Sequence, residues 1–114
     1  MSVHVGVVEK GKKYGQKLGF PTANIGLQEP VEGGIYAARA WVSNTEYAAA
    51  VFVDAKRNVL EAYLLDFTGD IYGGELRVEL LKKLRESKQF DDEDELKRAI
   101  EDDVAQVRDI FGKL

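Results

Sequence analysis

Short apolar runs separated by turn-forming residues fill most of this chain before residue 82. Valine-rich or alternating runs predict six β-strands, which cover residues 2–8, 23–27, 35–42, 47–53, 59–67 and 75–81. Each segment between them contains Gly, Pro, Asn or Asp, which favour turns and loops. Because no helical pattern separates the strands, the sequence predicts an antiparallel barrel or sandwich.

The apolar period changes after the last predicted strand. Asp92, with Glu95 three residues later, resembles a capping box, and Gly112 is a typical helix end. Asp103 falls on the polar side of this segment, so we expect it at the surface. The apolar stripe that predicts the helix consists of Leu96, Ile100, Val104, Val107 and Phe111.

Length and composition narrow the classes of function. A chain of 114 residues suits one small domain, residues 1–114. Sixteen basic and twenty acidic side chains give a net charge of −4, which disfavours a nucleic-acid partner. The absence of cysteine excludes disulfides and thiolate catalysis, and the single histidine, His4, cannot form a multi-histidine metal site.

The apolar runs are also too short for a membrane protein. The longest run, residues 47–53, is far below the length that spans a bilayer. The first residues lack the charged and apolar regions of a signal peptide. We therefore expect a cytoplasmic protein with no membrane partner.

Glycine and lysine are concentrated in residues 10–19, ahead of two oxygen-bearing side chains. Gly11, Gly15 and Gly19 are spaced four apart, with four lysines among them. Glycine lets backbone N–H groups approach an anion, and lysine is a point charge suited to phosphates. Thr22 and Asn24 then supply hard oxygens that Mg²⁺ accepts. This predicts a site for a metal-bound nucleoside triphosphate, although composition alone favours an ordinary surface loop.

Three blocks of sequence, in a fixed order along the chain, carry a family resemblance. The first reads Lys-Leu-Gly-Phe-Pro-Thr-Ala-Asn-Ile over residues 17–25. The second reads Glu-Ala-Tyr-Leu-Leu-Asp-Phe over residues 61–67, followed by Asp-Ile-Tyr-Gly over 70–73. The third contains Leu84-Arg85 and Lys88-Gln-Phe90. The blocks span most of the chain and are similar to the kinase half of bacterial bifunctional riboflavin kinase/FAD synthetases.

The resemblance implies a fold and a reaction. The fold would be mainly β, a six-stranded antiparallel Greek-key β-barrel with a C-terminal α-helix. The reaction would convert riboflavin and ATP into FMN and ADP, with Mg²⁺ or another divalent metal. We expect a monomer that binds riboflavin/FMN and ATP/ADP and has no nucleic-acid partner.

The resemblance also implies roles for individual residues. Glu61 would be the general base, and Arg85 would lie on the flavin side of the site. Thr22 and Asn24 would bind the metal and the nucleotide. The other residues expected to line the nucleotide site are Gly15, Lys17, Gly19, Phe20 and Pro21.

Period-2 alternation places Glu61 on one strand face with Val59, Tyr63, Leu65 and Phe67. A carboxylate among apolar neighbours is costly to ionise when buried, so it is suited to accepting a proton. Without the resemblance, a glutamate facing water is the commoner interpretation. Relatives often have histidine where this chain has Tyr63.

One segment departs from the family pattern. Relatives usually carry Asn-x-Gly and then Pro-Thr between the two central strands, whereas residues 54–58 here form a shorter polar turn. The alternative function is therefore a non-catalytic flavin- or nucleotide-binding module on the same barrel. A small RNA-binding barrel is a third hypothesis, which the net negative charge disfavours.

Overall fold

The structure, a computed structural model, describes residues 2–9, 19–69 and 71–113. These residues form six strands and one helix. The elements are β1 (Val3–Val7), β2 (Ala23–Gly26), β3 (Gly34–Val42), β4 (Thr45–Asp54), β5 (Val59–Leu64), β6 (Glu75–Arg85) and α1 (Glu93–Gly112).

All strand pairs are antiparallel, in the order β1-β6-β3-β4-β5-β2. Strands β3, β4 and β5 follow one another as neighbours, and β6 returns to pair with β3, which is a Greek key. Residues that alternate along the strands point inward and build one core, with Ile25, Leu60, Leu76 and Val78 fully buried. The predicted six-stranded antiparallel Greek-key β-barrel with a C-terminal helix is confirmed.

The two edge strands meet and nearly close the barrel. The backbone N–H of Glu9 donates to the carbonyl of Asn24 at 2.7 Å. A Cβ on Gly6 would lie 3.1 Å from the Cβ of Ile25, so a glycine at this crossing lets β1 approach β2. Closure removes most of the open sheet edge.

Strand ends differ from the predicted ones where backbone geometry decides them. The β3–β4 turn has only Ser43 and Asn44 at its centre, both with positive φ (50° and 69°), so β3 ends at Val42 as predicted and β4 begins at Thr45, inside the predicted turn. Strand β5 stops at Leu64, because Asp66 is left-handed with φ of 61°. Strand β6 continues past residue 81 to Arg85 and shifts register twice against β3.

The helix α1 covers part of the outer surface of the barrel. Its N-terminus is capped by Asp92, whose carboxylate accepts from the Asp94 N–H at 2.8 Å, as expected. Small residues of β3 and β4, such as Ala37 and Ala50, allow the helix to pack closely in a second core around Val107. Among the described residues, no helix is long and apolar enough to cross a membrane.

The surface position predicted for Asp103 is wrong. Asp103 is only 3% exposed, and its carboxylate is paired with Arg85. The physical reason is helical spacing: Asp103 follows Ile100 by three residues and precedes Val107 by four, so it lies within the apolar stripe rather than opposite it.

Candidate active site

A cavity of about 270 Å³ lies between the helix and the barrel, close to the lower end of the range typical of small-molecule sites. Its walls come from α1, from strands β3, β4 and β5, from the end of β6 and the segment after it, and from Phe20 and Thr22. The walls are mostly apolar, with Phe52, Leu96 and Ile100 among them. The few polar groups therefore stand out as candidates for ligand recognition.

Two of these polar groups, far apart in sequence, are in contact. The Thr22 hydroxyl donates to Oε1 of Glu61 at 3.5 Å, a long hydrogen bond. Strand pairing accounts for the proximity, because Asn24 lies directly opposite Glu61 in the β2–β5 ladder. Residues opposite each other in an antiparallel pair point to the same side of the sheet. Val59, Glu61 and Tyr63 share the half-buried outer face of β5, in line with the predicted alternation.

Glu61 also has an arginine partner, from the turn between β4 and β5. Nη2 of Arg57 donates to Oε2 of Glu61 at 3.1 Å, and its Nε donates to Oδ2 of Asp54 at 2.7 Å. The hydrogen bond from Arg57 holds the pKa of Asp54 below its ordinary value and raises the pKa of Arg57. Arg57 therefore bridges two carboxylates at the rim of the site.

A second arginine, Arg85, lines the cavity itself. Nε and Nη2 of Arg85 donate to the two carboxylate oxygens of Asp103 at 2.9 and 2.8 Å. Nη1 donates to the Glu86 carbonyl at 3.1 Å. The guanidinium carbon lies 5.9 Å from the centre of the Phe90 ring, and the ammonium of Lys88 lies 5.5 Å from it. All of these residues except Glu86 line the cavity.

Two aromatic rings close the site near the first sequence block. Phe20 packs edge-on against Tyr63, with ring centres 5.4 Å apart and planes at 83°. Both rings line the cavity. Aromatic surface therefore lies in the cavity wall together with the polar groups of Thr22 and Glu61.

The predicted site residues divide into three groups. Phe20, Thr22, Glu61 and Arg85 line one cavity. Asn24 is buried opposite Glu61 in the ladder and does not line the cavity, while Gly19 and Pro21 are exposed. The expected nucleotide-site residues that lie outside the described part of the chain are Gly15 and Lys17.

Sequence reasoning missed two charged residues of the site, Arg57 and Asp103. Helical spacing from Ile100 and Val107 was a usable signal for Asp103. No spacing rule predicts an ion pair between a turn arginine and a strand glutamate. Within the described ranges, no group of three or more His, Asp or Glu residues could hold a metal ion.

Comparison with known proteins identifies the family. The model of the riboflavin kinase family matches residues 2–111 of this chain. The chain belongs to the riboflavin kinase family. Riboflavin kinase from Trypanosoma brucei has a similar structure, with a TM-score of 0.70 and 26% identity over 97% of this chain and 80% of that one.

Curated relatives of riboflavin kinase type are similar in sequence. The RNA-binding riboflavin kinase RibR of Bacillus subtilis is 34% identical, over 97% of this chain and 52% of that protein. The bifunctional riboflavin kinase/FMN adenylyltransferase of Haemophilus influenzae is 36% identical, over 94% of this chain and 38% of that protein. The chain thus spans about half or less of the length of these two relatives.

Proposed function

We propose that this chain transfers the γ-phosphoryl group of ATP to the 5′-hydroxyl of riboflavin, forming FMN and ADP. One observation carries the proposal beyond family membership. The Thr22 hydroxyl and the Glu61 carboxylate, which are distant in sequence, are in contact at one cavity whose walls are otherwise mostly apolar. A phosphoryl acceptor with a flat apolar ring and a polar side chain fits such a site.

Glu61 is proposed as the general base. Its carboxylate would accept the proton of the riboflavin 5′-hydroxyl as that oxygen bonds to the γ-phosphorus and the bond to the β-phosphate oxygen breaks. Phosphoryl transfer asks a protein mainly for positioning and charge stabilisation. Glu61 is placed for this role because its side chain lines the cavity and is only 14% exposed.

Thr22 and Asn24 are proposed to hold the divalent metal with the nucleotide. A hydroxyl and an amide carbonyl are hard oxygen donors, and Mg²⁺ uses few protein ligands and keeps several waters. When bound, the metal would offset negative charge on the triphosphate. Asn24 lies opposite Glu61 in the ladder, so both donors belong to the same end of the site. The residues proposed to contact the nucleotide are Gly15, Lys17, Gly19, Phe20 and Pro21.

Arg85 is proposed to bind the flavin ring. Its guanidinium lines the cavity beside Phe90, and Leu96 and Ile100 of α1 offer apolar contact to a ring. This arrangement provides both donors and a hydrophobic wall, which a ring with carbonyl groups requires.

We propose that the chain acts as one domain, residues 1–114, and as a monomer without a nucleic-acid partner. The net charge of −4 supports the last point. The name of the relative RibR includes RNA binding, and it describes a protein of which this chain matches 52%.

A binding module without catalysis is the second candidate. The observation that favours it is the ion pair between Arg57 and Glu61, because a carboxylate engaged by a guanidinium is a weaker proton acceptor. Arg57 belongs to the turn that departs from the family pattern. The two candidates differ in turnover, not in binding.

The decisive experiment measures FMN formation from riboflavin and ATP with Mg²⁺, Mn²⁺ or Zn²⁺. We expect metal-dependent FMN formation, and we expect Glu61→Gln to lower kcat by about 10²-fold or more while riboflavin binding is kept. Glu79→Gln is the matched control, because Glu79 is also a half-buried strand glutamate paired with an arginine, but outside the cavity. Riboflavin binding without FMN would support the module, and normal turnover of Glu61→Gln would remove Glu61 from the mechanism.

A further inference from the structure

Two similar ion pairs join α1 to the barrel. In the first, Asp103 of the helix accepts from Nε and Nη2 of Arg85 at the end of β6, at 2.9 and 2.8 Å. In the second, the polarity is reversed: Nη1 and Nη2 of Arg108 in the helix donate to the two oxygens of Asp66, both at 3.0 Å. Both pairs are bidentate, which is the strongest geometry for arginine and a carboxylate.

The surroundings of the two pairs are very different. The side chains of Asp103 and Arg85 are 5% and 28% exposed, and both line the cavity. The side chains of Asp66 and Arg108 are 74% and 53% exposed, and neither lines it. An exposed pair contributes little to stability, so Arg108–Asp66 is an ordinary surface contact.

A buried ion pair such as Arg85–Asp103 is not an effective way to attach the helix to the barrel. Desolvation of two charges offsets most of their attraction, and apolar residues of similar size usually stabilise a protein as well or better. The surrounding contacts of α1 are apolar, with Ile100 and Leu96 lining the cavity beside Asp103. The buried charge of Asp103 is therefore better explained by a role at the cavity than by attachment of the helix.

The pair fixes the plane of the Arg85 guanidinium. A guanidinium carries five N–H bonds. Three of them are used by the bonds to Asp103 and to the Glu86 carbonyl, which leaves two for a ligand. The Phe90 ring, 5.9 Å away, further restricts the group. Arg85 is thus fixed at the wall of the cavity, with two N–H groups that can donate to a ligand.

We propose that Asp103 is a positioning residue for flavin binding. It holds Arg85 so that the two remaining N–H groups meet the carbonyl oxygens of a flat, conjugated ring in the cavity. This inference rests on the proposed function, and it assigns the Arg85–Asp103 pair to substrate recognition rather than to attachment of the helix.

The test compares Asp103→Asn with Asp66→Asn, the same substitution in the two bidentate pairs. Asparagine keeps the size of aspartate but turns one acceptor into a donor that faces the N–H groups of arginine. We expect Asp103→Asn to raise the riboflavin Kd, measured by flavin fluorescence, and its KM by roughly 10- to 100-fold, the range for hydrogen bonds to charged groups. The KM for ATP should change little, and Asp66→Asn should match the parent in both.

A double variant separates the effect of losing the ion pair on riboflavin binding from its effect on the stability of the fold. Arg85→Met with Asp103→Leu removes both charges, so no buried charge is left unpaired and the thermal midpoint should stay near that of the parent. We expect this folded variant to bind riboflavin as weakly as Asp103→Asn. If Asp103→Asn does not fold, Asp103→Glu takes its place, because it keeps both charges but displaces the carboxylate that holds Arg85.

Parent-like riboflavin binding by folded Asp103→Asn or by the double variant would overturn the inference and leave the proposed function standing. A parent protein that neither binds riboflavin nor forms FMN would overturn the proposed function, and the inference with it.

Discussion

The two carboxylate oxygens of Glu61 have different neighbours. Oε1 accepts from the Thr22 hydroxyl at 3.5 Å, and Oε2 accepts from Arg57 at 3.1 Å. Arg57 is itself held by Asp54 at 2.7 Å. This chain of contacts fixes one oxygen at the rim and turns the other toward the residues proposed to hold the metal. The orientation of Glu61, the proposed base, therefore depends on the turn between β4 and β5.

The first prediction concerns Arg57. We expect Arg57→Gln to lower kcat by roughly 10-fold, a part of the ~10²-fold that misplacing a reacting group can cost, with the KM for ATP and riboflavin unchanged. Steady-state kinetics of FMN formation measure both. Lys56→Gln, an exposed cation in the same turn, is the control and should behave as the parent. A higher kcat for Arg57→Gln would mean that the ion pair restrains the base rather than orienting it.

The sequence predicts which motifs share a site, but it does not predict which side chains pair within it. The motif around Thr22 and the block that begins at Glu61 indicate a common site, and the structure brings both to one cavity. Their proposed roles remain predictions. The ion pair between Arg57 and Glu61 could not be predicted from the sequence. The position of Arg57 depends on the conformation of its turn, which includes the left-handed backbone at Asn58.

At the scale of elements, alternation predicts strands well and their ends poorly. All six strands form where apolar runs predict them, but β6 reaches Arg85 rather than residue 81. Three of the four additional residues, Lys82, Lys83 and Arg85, are charged, so the apolar alternation does not continue through them. Pairing with β3 through two register shifts extends the strand. This extension matters because it delivers Arg85 to the cavity.

The start of β3 carries the second prediction. Gly34 has a φ of 149°, and a Cβ there would lie 2.6 Å from Cε of Lys83 and 3.0 Å from the carbonyl oxygen of Arg85. We expect Gly34→Ala to lower the free energy of unfolding by about 1–3 kcal/mol, through backbone strain and crowding. Urea unfolding measures this.

Gly26→Ala is the matched control for Gly34→Ala, because nothing lies within 4 Å of a Cβ at position 26. We expect its free energy of unfolding to remain close to that of the parent. Equal stability of the two variants would show that β3 can shift at its start without cost.

At the scale of the whole molecule, the cavity lies where the helix α1 packs on the outside of the barrel. The barrel buries one set of strand residues, and α1 builds a second core with the outer faces around Ala37 and Leu65. The N-terminal half of the helix then forms a wall of the cavity instead of filling it, with Leu96 and Ile100 in that wall. The apolar stripe predicts that the helix packs on the barrel, but it cannot distinguish residues that pack from residues that line a site.

The last prediction concerns acid stability. Hydrogen bonds from Arg57 and Arg108 hold the pKa values of Asp54 and Asp66 below the ordinary 3.8. The folded protein therefore binds fewer protons than the unfolded chain in this range, so the contribution of each pair is complete above pH 3.8 and is lost as the pH falls through the folded pKa. We expect the thermal midpoint, measured from about pH 6 to about pH 2, to fall more steeply below pH 3.8 than in an Asp54→Asn variant, because Asp54 is the less exposed of the two carboxylates. Parallel curves for the two proteins would show that the ion pair between Asp54 and Arg57 does not persist in solution.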